Sequence, residues 1–290
     1  MNLHRFVILS AAVGALAACS SDNTAPKLVT PGPAAFIHII NAVPDTGSLD
    51  FRFVDTIDGV PNVEFVNLPF RGGTNVGYQR VAAGSHEIRV FMSSSNLNAA
   101  GLTNDPAIVS TVMGDTTFTF VDGTHYTFIF NGSARAKAQK FLILNDGFTI
   151  PTGISVRAVN MNTSAADFYL AAGTAAATTV TGTPTFAALA PATASAYTPF
   201  AVASATSGYT LTATNAGATT PVWSAVMNAG SAAVAEVTGV SGALSALPGS
   251  RIAGSIFTGV LFPASTAGSK APQTAAFTAP GVILVPDRFF

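Results

Sequence analysis

The chain has one cysteine, one tryptophan and only 13 Lys+Arg against 14 Asp+Glu in 290 residues. A lone cysteine excludes an internal disulfide framework. A net charge of −1 with 9% charged residues excludes a nucleic-acid binder that works through a basic face. The shortage of charge does not make a disordered chain, because 49% of the residues are apolar and the mean hydropathy is +0.45, which leaves ample surface to bury. Helical 3.6-residue periodicity is also missing, so an α-helical fold is excluded. Short apolar runs separated by Gly, Asn and Asp turns remain.

The N-terminus carries the clearest signal. Arg5 is followed by an apolar stretch from Phe6 to Ala18. As a helix this stretch would rise about 20 Å, too short for a hydrocarbon core of about 30 Å, so it reads as an export signal, not a span. Leu16-Ala17-Ala18-Cys19 resembles the lipobox of bacterial lipoproteins, and Cys19 is the one cysteine of the chain. The resemblance implies cleavage before Cys19 and acylation of its sulfur and new amino group, with palmitate-type chains anchoring the protein to the membrane. It further implies that Ser20, where an aspartate would direct inner-membrane retention, favours the outer membrane or cell surface. Residues 1–18 are thus the expected signal peptide. Residues 19–35, with Pro26, Pro31 and Pro33, are expected to form a flexible, extended tether able to reach about 50 Å.

Beyond the tether one pattern occurs twice. Ile37–Val54 reads IHIINAVPDTGSLDFRFV and Ile154–Leu170 reads ISVRAVNMNTSAADFYL, so that Asn41 aligns with Asn160 and Asp50-Phe51 with Asp167-Phe168. In each copy a short apolar strand ends at a turn-forming asparagine and the next opens at an aspartate. Later strands are expected at 75–81, 86–91, 116–121, 125–130 and 141–145, and then at 195–202, 208–211, 252–262 and 282–285. The fold class is therefore all-β: two tandem antiparallel β-sandwich modules of Ig-like or Greek-key type, over residues 36–150 and 151–290.

The opening I-x-x-x-N-A-x-P-D-x-x-x-L-D-F, the element Ala82-Ala83-Gly84-Ser85-His86-Glu87-Ile88 and the turn-strand Gly123-Thr124-His125-Tyr126-Thr127-Phe128 resemble the bacterial domain of unknown function 4397. The likeness covers residues 36–150 well and the rest less well, since Met161-Asn162-Thr163 replaces the Pro-Asp of the first copy. It implies a β-sandwich in the cell envelope and no chemistry.

Candidate sites are few. His38, His86 and His125 are the histidines beyond the signal, and imidazoles are ready metal ligands, but they lie 39 to 48 residues apart with no chelating spacing. Asp45, Asp50, Asp55 and Asp58 form the densest acidic stretch, yet it lacks the D-x-D-x-D-G calcium pattern, and Asp58-Gly59 reads as a hairpin turn. His38, His86, His125, Asp45 and Asp50 are the side chains the sequence offers as a ligand surface. No metal and no cofactor is expected. Arg52 and Arg89 alternate with apolar neighbours and should face solvent beside local carboxylates, while Arg157 is one of the few cations of the second half. That half holds 7 of the 27 charged residues and should present a neutral Ala/Thr/Ser surface for protein contact or for covering. No G-x-S-x-G elbow occurs, the nearest miss being Gly239-Val240-Ser241-Gly242-Ala243, so no catalytic residue is assigned and the protein is not expected to be an enzyme.

These observations favour a lipid-anchored envelope protein whose modules bind or scaffold an envelope protein or polysaccharide. Two alternatives stand beside it. One is an integral outer-membrane β-barrel, which the high hydropathy and the terminal Phe290 favour and Pro286-Asp287-Arg288 opposes. The other is a periplasmic hydrolase using two distant carboxylates.

Overall fold

The computed structural model describes residues 32–55, 65–73, 77–93, 111–147, 149–235, 244–266 and 277–288. Leu16, Ala17, Ala18, Cys19, the Asp58-Gly59 turn, Gly239–Ala243 and Phe290 lie outside them. The chain divides into Met1–Gly32 and a compact unit Pro33–Phe290.

The first half contains β1 (Ala34–Ala42), β2 (Leu49–Phe53), β3 (Gln79–Ala82), β4 (Gly84–Met92), β5 (Val112–Phe120), β6 (His125–Asn131) and β7 (Lys140–Asn145). The second contains β8 (Ile154–Asn160), β9 (Ala166–Gly173), β10 (Phe186–Leu189), β11 (Thr193–Ala194), β12 (Thr198–Phe200), β13 (Gly208–Asn215), β14 (Pro221–Val226), β15 (Ile256–Phe262) and β16 (Gly281–Pro286). In the first half a sheet ordered β3-β1-β6-β7 packs on a sheet β2-β4-β5. In the second, β11-β8-β15-β16, with β12 also on β8, packs on β10-β9-β13-β14. No sheet closes into a barrel among the described residues, so the fold is all-β and sandwich-like, as the sequence leads one to expect.

The second half repeats the pairing plan of the first. β1 runs parallel to β6, and β8 runs parallel to β15. Every other strand pair is antiparallel, so each sandwich has one parallel pair where only antiparallel ones were expected. A parallel pair needs a long crossover, here supplied by the intervening strands of the same half, and alternation within a strand carries no information on its partner's direction. Local details repeat as well. Asn41 Nδ2 donates to the Gly47 and Leu68 carbonyls while its Oδ1 accepts from Val43 N. Asn160 does the same with Ser164 O, Leu189 O and Asn162 N. Asp50 Oδ1 accepts from Asn67 N, and Asp167 Oδ1 from Ala188 N, where both donors hold positive φ, 56° and 45°. A left-handed alanine costs about 1–2 kcal/mol, so the aspartate bond is part of what holds that turn.

The expected strands at 195–202 and 252–262 are shorter than the apolar runs. Of the first only Thr198–Phe200 (β12) is strand, with β11 lying before the run, and the second begins only at Ile256, after a turn closed by Ile252 N to Gly249 O and Ser255 N to Ile252 O. β10 and β14 are additional strands, the latter carrying Trp223. The neutral face of the second half is in part covered by its own chain: Thr210, Thr212 and Thr214 on β13 are buried, with Thr210 Oγ1 bonded to Ala175 O and Ala177 N bonded to Ser224 Oγ.

Three apolar clusters hold the unit together. Ile37, Ile39, Phe51, Ile88, Val90, Phe120, Phe128 and Phe130 fill the first sandwich. Ile154, Val156, Ala158, Phe168, Leu211, Phe257 and Leu261 fill the second. The third joins them: Ile40, Phe70 and Ile129 meet Val159, Met161, Val260 and Phe262, so the β3-β1-β6-β7 and β11-β8-β15-β16 sheets face each other across a seam. This is why β6, β8 and β15 are buried almost along their whole length. Burial is worth roughly 1.5–3 kcal/mol for each such side chain, so the seam is comparable with the entire stability of an ordinary domain.

Candidate functional site

One end of the seam is polar, and it too is assembled from equivalent positions. The first half contributes His38 on β1, Tyr78 just before β3, Thr127 on β6 and Asp146 just after β7. The second contributes Arg157 on β8, Tyr197 between β11 and β12, Thr258 on β15 and Asp287 just after β16. Tyr78 Oη and Thr127 Oγ1 donate to Asp146 Oδ2 at 2.7 and 2.5 Å. Tyr197 Oη and Thr258 Oγ1 donate to Asp287 Oδ2 at 3.0 and 2.6 Å. Each carboxyl is thus held by one phenol and one threonine of its own half.

Arg157 ties the two sets together. Its Nη2 lies 2.6 Å from Asp146 Oδ1 and donates to Thr127 Oγ1 at 3.2 Å, its Nε donates to Thr258 Oγ1 at 2.7 Å, and its guanidinium sits 4.6 Å over the Tyr197 ring. The side chain is buried, with 4% of its surface exposed, so this cation of the second half does not belong to its surface. β8 is covered on both faces, so alternation with apolar neighbours does not point its polar side chains to water.

The charges do not balance within the cluster. At the place equivalent to Arg157 stands His38, which burial pulls down to about 3, so it is neutral and stacks on Tyr78 at 4.1 Å. Its ring nitrogens make no hydrogen bond of good geometry, although the Gly77 backbone is near enough to favour the protonated ring somewhat. One guanidinium therefore faces two carboxyls. Burial pushes Asp287 up to about 7; Arg157, Thr258 and Tyr197 work against that push, and the charge of Asp146 adds to it. Burial raises Asp146 as well, against Arg157, Thr127 and Tyr78. Burial acts most strongly, against the charge on Arg157, but Asp146, Tyr197 and Asp287 together outweigh it and hold the guanidinium protonated above its ordinary range. Two partners of one ion pair cannot both move up because of the pair itself. The 2.6 Å contact makes Arg157–Asp146 the charged pair, and Asp287, raised by burial to about 7, is the carboxyl that takes up a proton as the pH falls through neutrality. Burial raises both Tyr78 and Tyr197, so they stay phenols.

Beside this cluster a cleft of about 990 Å³ opens between residues 149–153 and the β8–β12 edge. Arg157 and Tyr197 lie in its deep part, Ser155, Thr149 and Thr152 offer polar groups, and Ile150 and Val202 form an apolar rim. No Asp or Glu side chain lines it among the described residues.

The sequence-derived candidates are not gathered into one surface. His38 is buried in the polar seam. His125 stands edge-on to the Tyr78 ring at 4.7 Å and stacks on Phe36, and burial lowers it. His86 belongs to the other sheet, where Nδ1 pairs with Asp55 Oδ2 at 3.0 Å. Asp45 is buried and caps the turn after β6, accepting from Ser133 Oγ, Ala134 N and Arg135 N. Burial alone would raise it, but those hydrogen bonds hold it below the ordinary carboxylate range. Asp50 is buried and bonded to Arg52 and Asn67. Arg52 and Arg89 face solvent beside Asp50 and Glu87, as alternation requires. Among the described residues no three His, Cys, Asp or Glu side chains converge on a metal-sized site. Sequence reasoning assigned no site role to Tyr78, Asp146, Arg157, Tyr197 or Asp287. The aspartate ending the last strand of each copy was visible as a repeat, but its burial was not.

Residues 35–171, from β1 into β9, match the family model of a domain of unknown function, DUF4397. No curated protein matches the chain.

Proposed function

We propose that the protein is a lipid-anchored component of the cell envelope, held by an acylated Cys19 at the outer membrane or cell surface, and that its two sandwiches are tandem copies of the DUF4397-type domain serving binding or scaffolding, not catalysis. The observation that carries the reading is the position of the one cysteine directly after Leu16-Ala17-Ala18. The repeated pairing plan supports tandem copies, and the matched residues 35–171 run through the first copy into the second. Among the described residues the walls of the cleft carry no carboxylate side chain, which supports binding, because a hydrolase of this kind requires an acid–base pair there.

Growth of expressing bacteria with radiolabelled palmitate tests the anchor. The expected result is label on the wild-type chain in the membrane fraction, with Cys19→Ser unlabelled and soluble. An unlabelled wild-type chain, or a retained leader in its mass spectrum, would overturn the reading.

A further inference from the structure

Among the described residues Arg157 is the one charged side chain on the cleft, and three of its contacts are already made inside the protein: Nε to Thr258, and Nη2 to Thr127 and Asp146. Nη1 has no protein partner and is the donor edge left toward the open volume. The oxygens behind the guanidinium lie on its Nε and Nη2 side. The group is therefore a fixed dipole with its positive end at the cleft, held rigid by the Tyr197 ring on its face. Around it, Ser155, Thr149 and Thr152 supply hydroxyls, and Phe200 and Ile150 supply apolar surface. Hydroxyl-rich walls with an apolar rim fit a sugar ring, and a guanidinium edge with no acidic neighbour on the wall fits a carboxylate.

We propose that this cleft binds a uronate-containing oligosaccharide, one carboxylate of which accepts from Arg157 Nη1. The proposal rests on the binding reading above and names its ligand class. It brings a linkage with it. A bound carboxylate adds a third negative group around one guanidinium, and Asp287 relieves this by holding its proton. The charged and titratable groups facing Asp287 are Arg157 on β8, Asp146 after β7, Tyr78 before β3 and Tyr197 between β11 and β12; the neutral His38 stacks on Tyr78. Of these Asp287 is the one that burial moves to about 7, so binding weakens as the pH rises through neutrality.

The test is calorimetry on the purified full chain in detergent, with trigalacturonate and neutral galactotriose as probes, at pH 6 and pH 8. The expected result is binding of trigalacturonate that weakens about tenfold at the higher pH, and no binding of galactotriose. Arg157→Gln abolishes binding, and Asp287→Asn binds equally at both pH values. Ile150→Glu, at an exposed rim position where folding is not at risk, weakens binding about threefold or more, and Ile150→Lys strengthens it. Equal binding of the neutral sugar, no binding of trigalacturonate, or wild-type binding indifferent to pH would each overturn the proposal. None of these results bears on acylation, which the palmitate experiment reads separately.

Discussion

The two sandwiches share a plan, and they differ most where they meet. At one pair of equivalent positions the first half has His38 and the second Arg157, while the surrounding tyrosine, threonine and aspartate are the same in both. The difference makes the two halves one asymmetric object: a buried cation placed in one half pairs with the carboxyl of the other. A second difference works in the opposite direction. Arg71 in the first half, whose N bonds Asn41 O, corresponds to Ala192, whose N bonds Asn160 O. Arg71 crosses to the second half and donates to the Pro263 and Ala279 carbonyls, between the rings of Phe70 and Phe277. Each half thus sends one arginine across the seam.

The most severe way to break this comparison is to exchange the unlike pair for apolar residues. Arg157→Leu leaves buried carboxyls uncompensated and is expected to cost about 3–5 kcal/mol in urea unfolding at neutral pH. His38→Leu removes a neutral ring with no good hydrogen bond and should stay within about 1 kcal/mol of wild type. Equal losses would mean that the seam treats the two positions alike.

Varying pH tests the same imbalance. The unfolded chain releases the Asp287 proton near the ordinary carboxylate range, about 4, and the folded chain near 7, so between these values the folded state binds more protons. This group's contribution therefore favours folding at acid pH and is lost as the pH rises from about 4 to about 7, by a few kcal/mol. Asp287→Asn should remove that slope and be the more stable protein at pH 8, which comparison of urea midpoints across pH would show.

Substituting the repeated asparagines sharpens the likeness. Asn41→Ala and Asn160→Ala each delete two donors and one acceptor that serve buried backbone groups. Each should cost about 2 kcal/mol, equal within about 1 kcal/mol. A small effect is expected for Arg71→Ala, about 1 kcal/mol in urea unfolding, because the arginine is only half-buried.

The sequence made some of this legible and hid the rest for physical reasons. The Asn41/Asn160 and Asp50/Asp167 pairs announce the repeat because turn chemistry is local, and the sandwich follows from strand spacing. The seam was not legible. His125–Asn131 and Ile154–Asn160 alternate in the manner of half-exposed strands, yet both faces are covered, and only the packing of one sheet on the other reveals it. For the same reason Arg157 reads only as one of the few cations of its half and His38 as a ligand, although both are interior. Nor does sequence spacing bring Asp146 to Arg157 or Tyr197 to Asp287, since these contacts join strands whose pairing is set by the whole sheet.

The seam is expected to make Pro33–Phe290 unfold as one cooperative unit. Trp223, the single tryptophan, lies on β14 in the second half, whereas the far-ultraviolet circular dichroism reports on both halves. Urea unfolding followed by the two signals on one sample is predicted to give coincident transitions with one midpoint. A tryptophan transition separated from a second, tryptophan-silent loss of β structure would contradict the account.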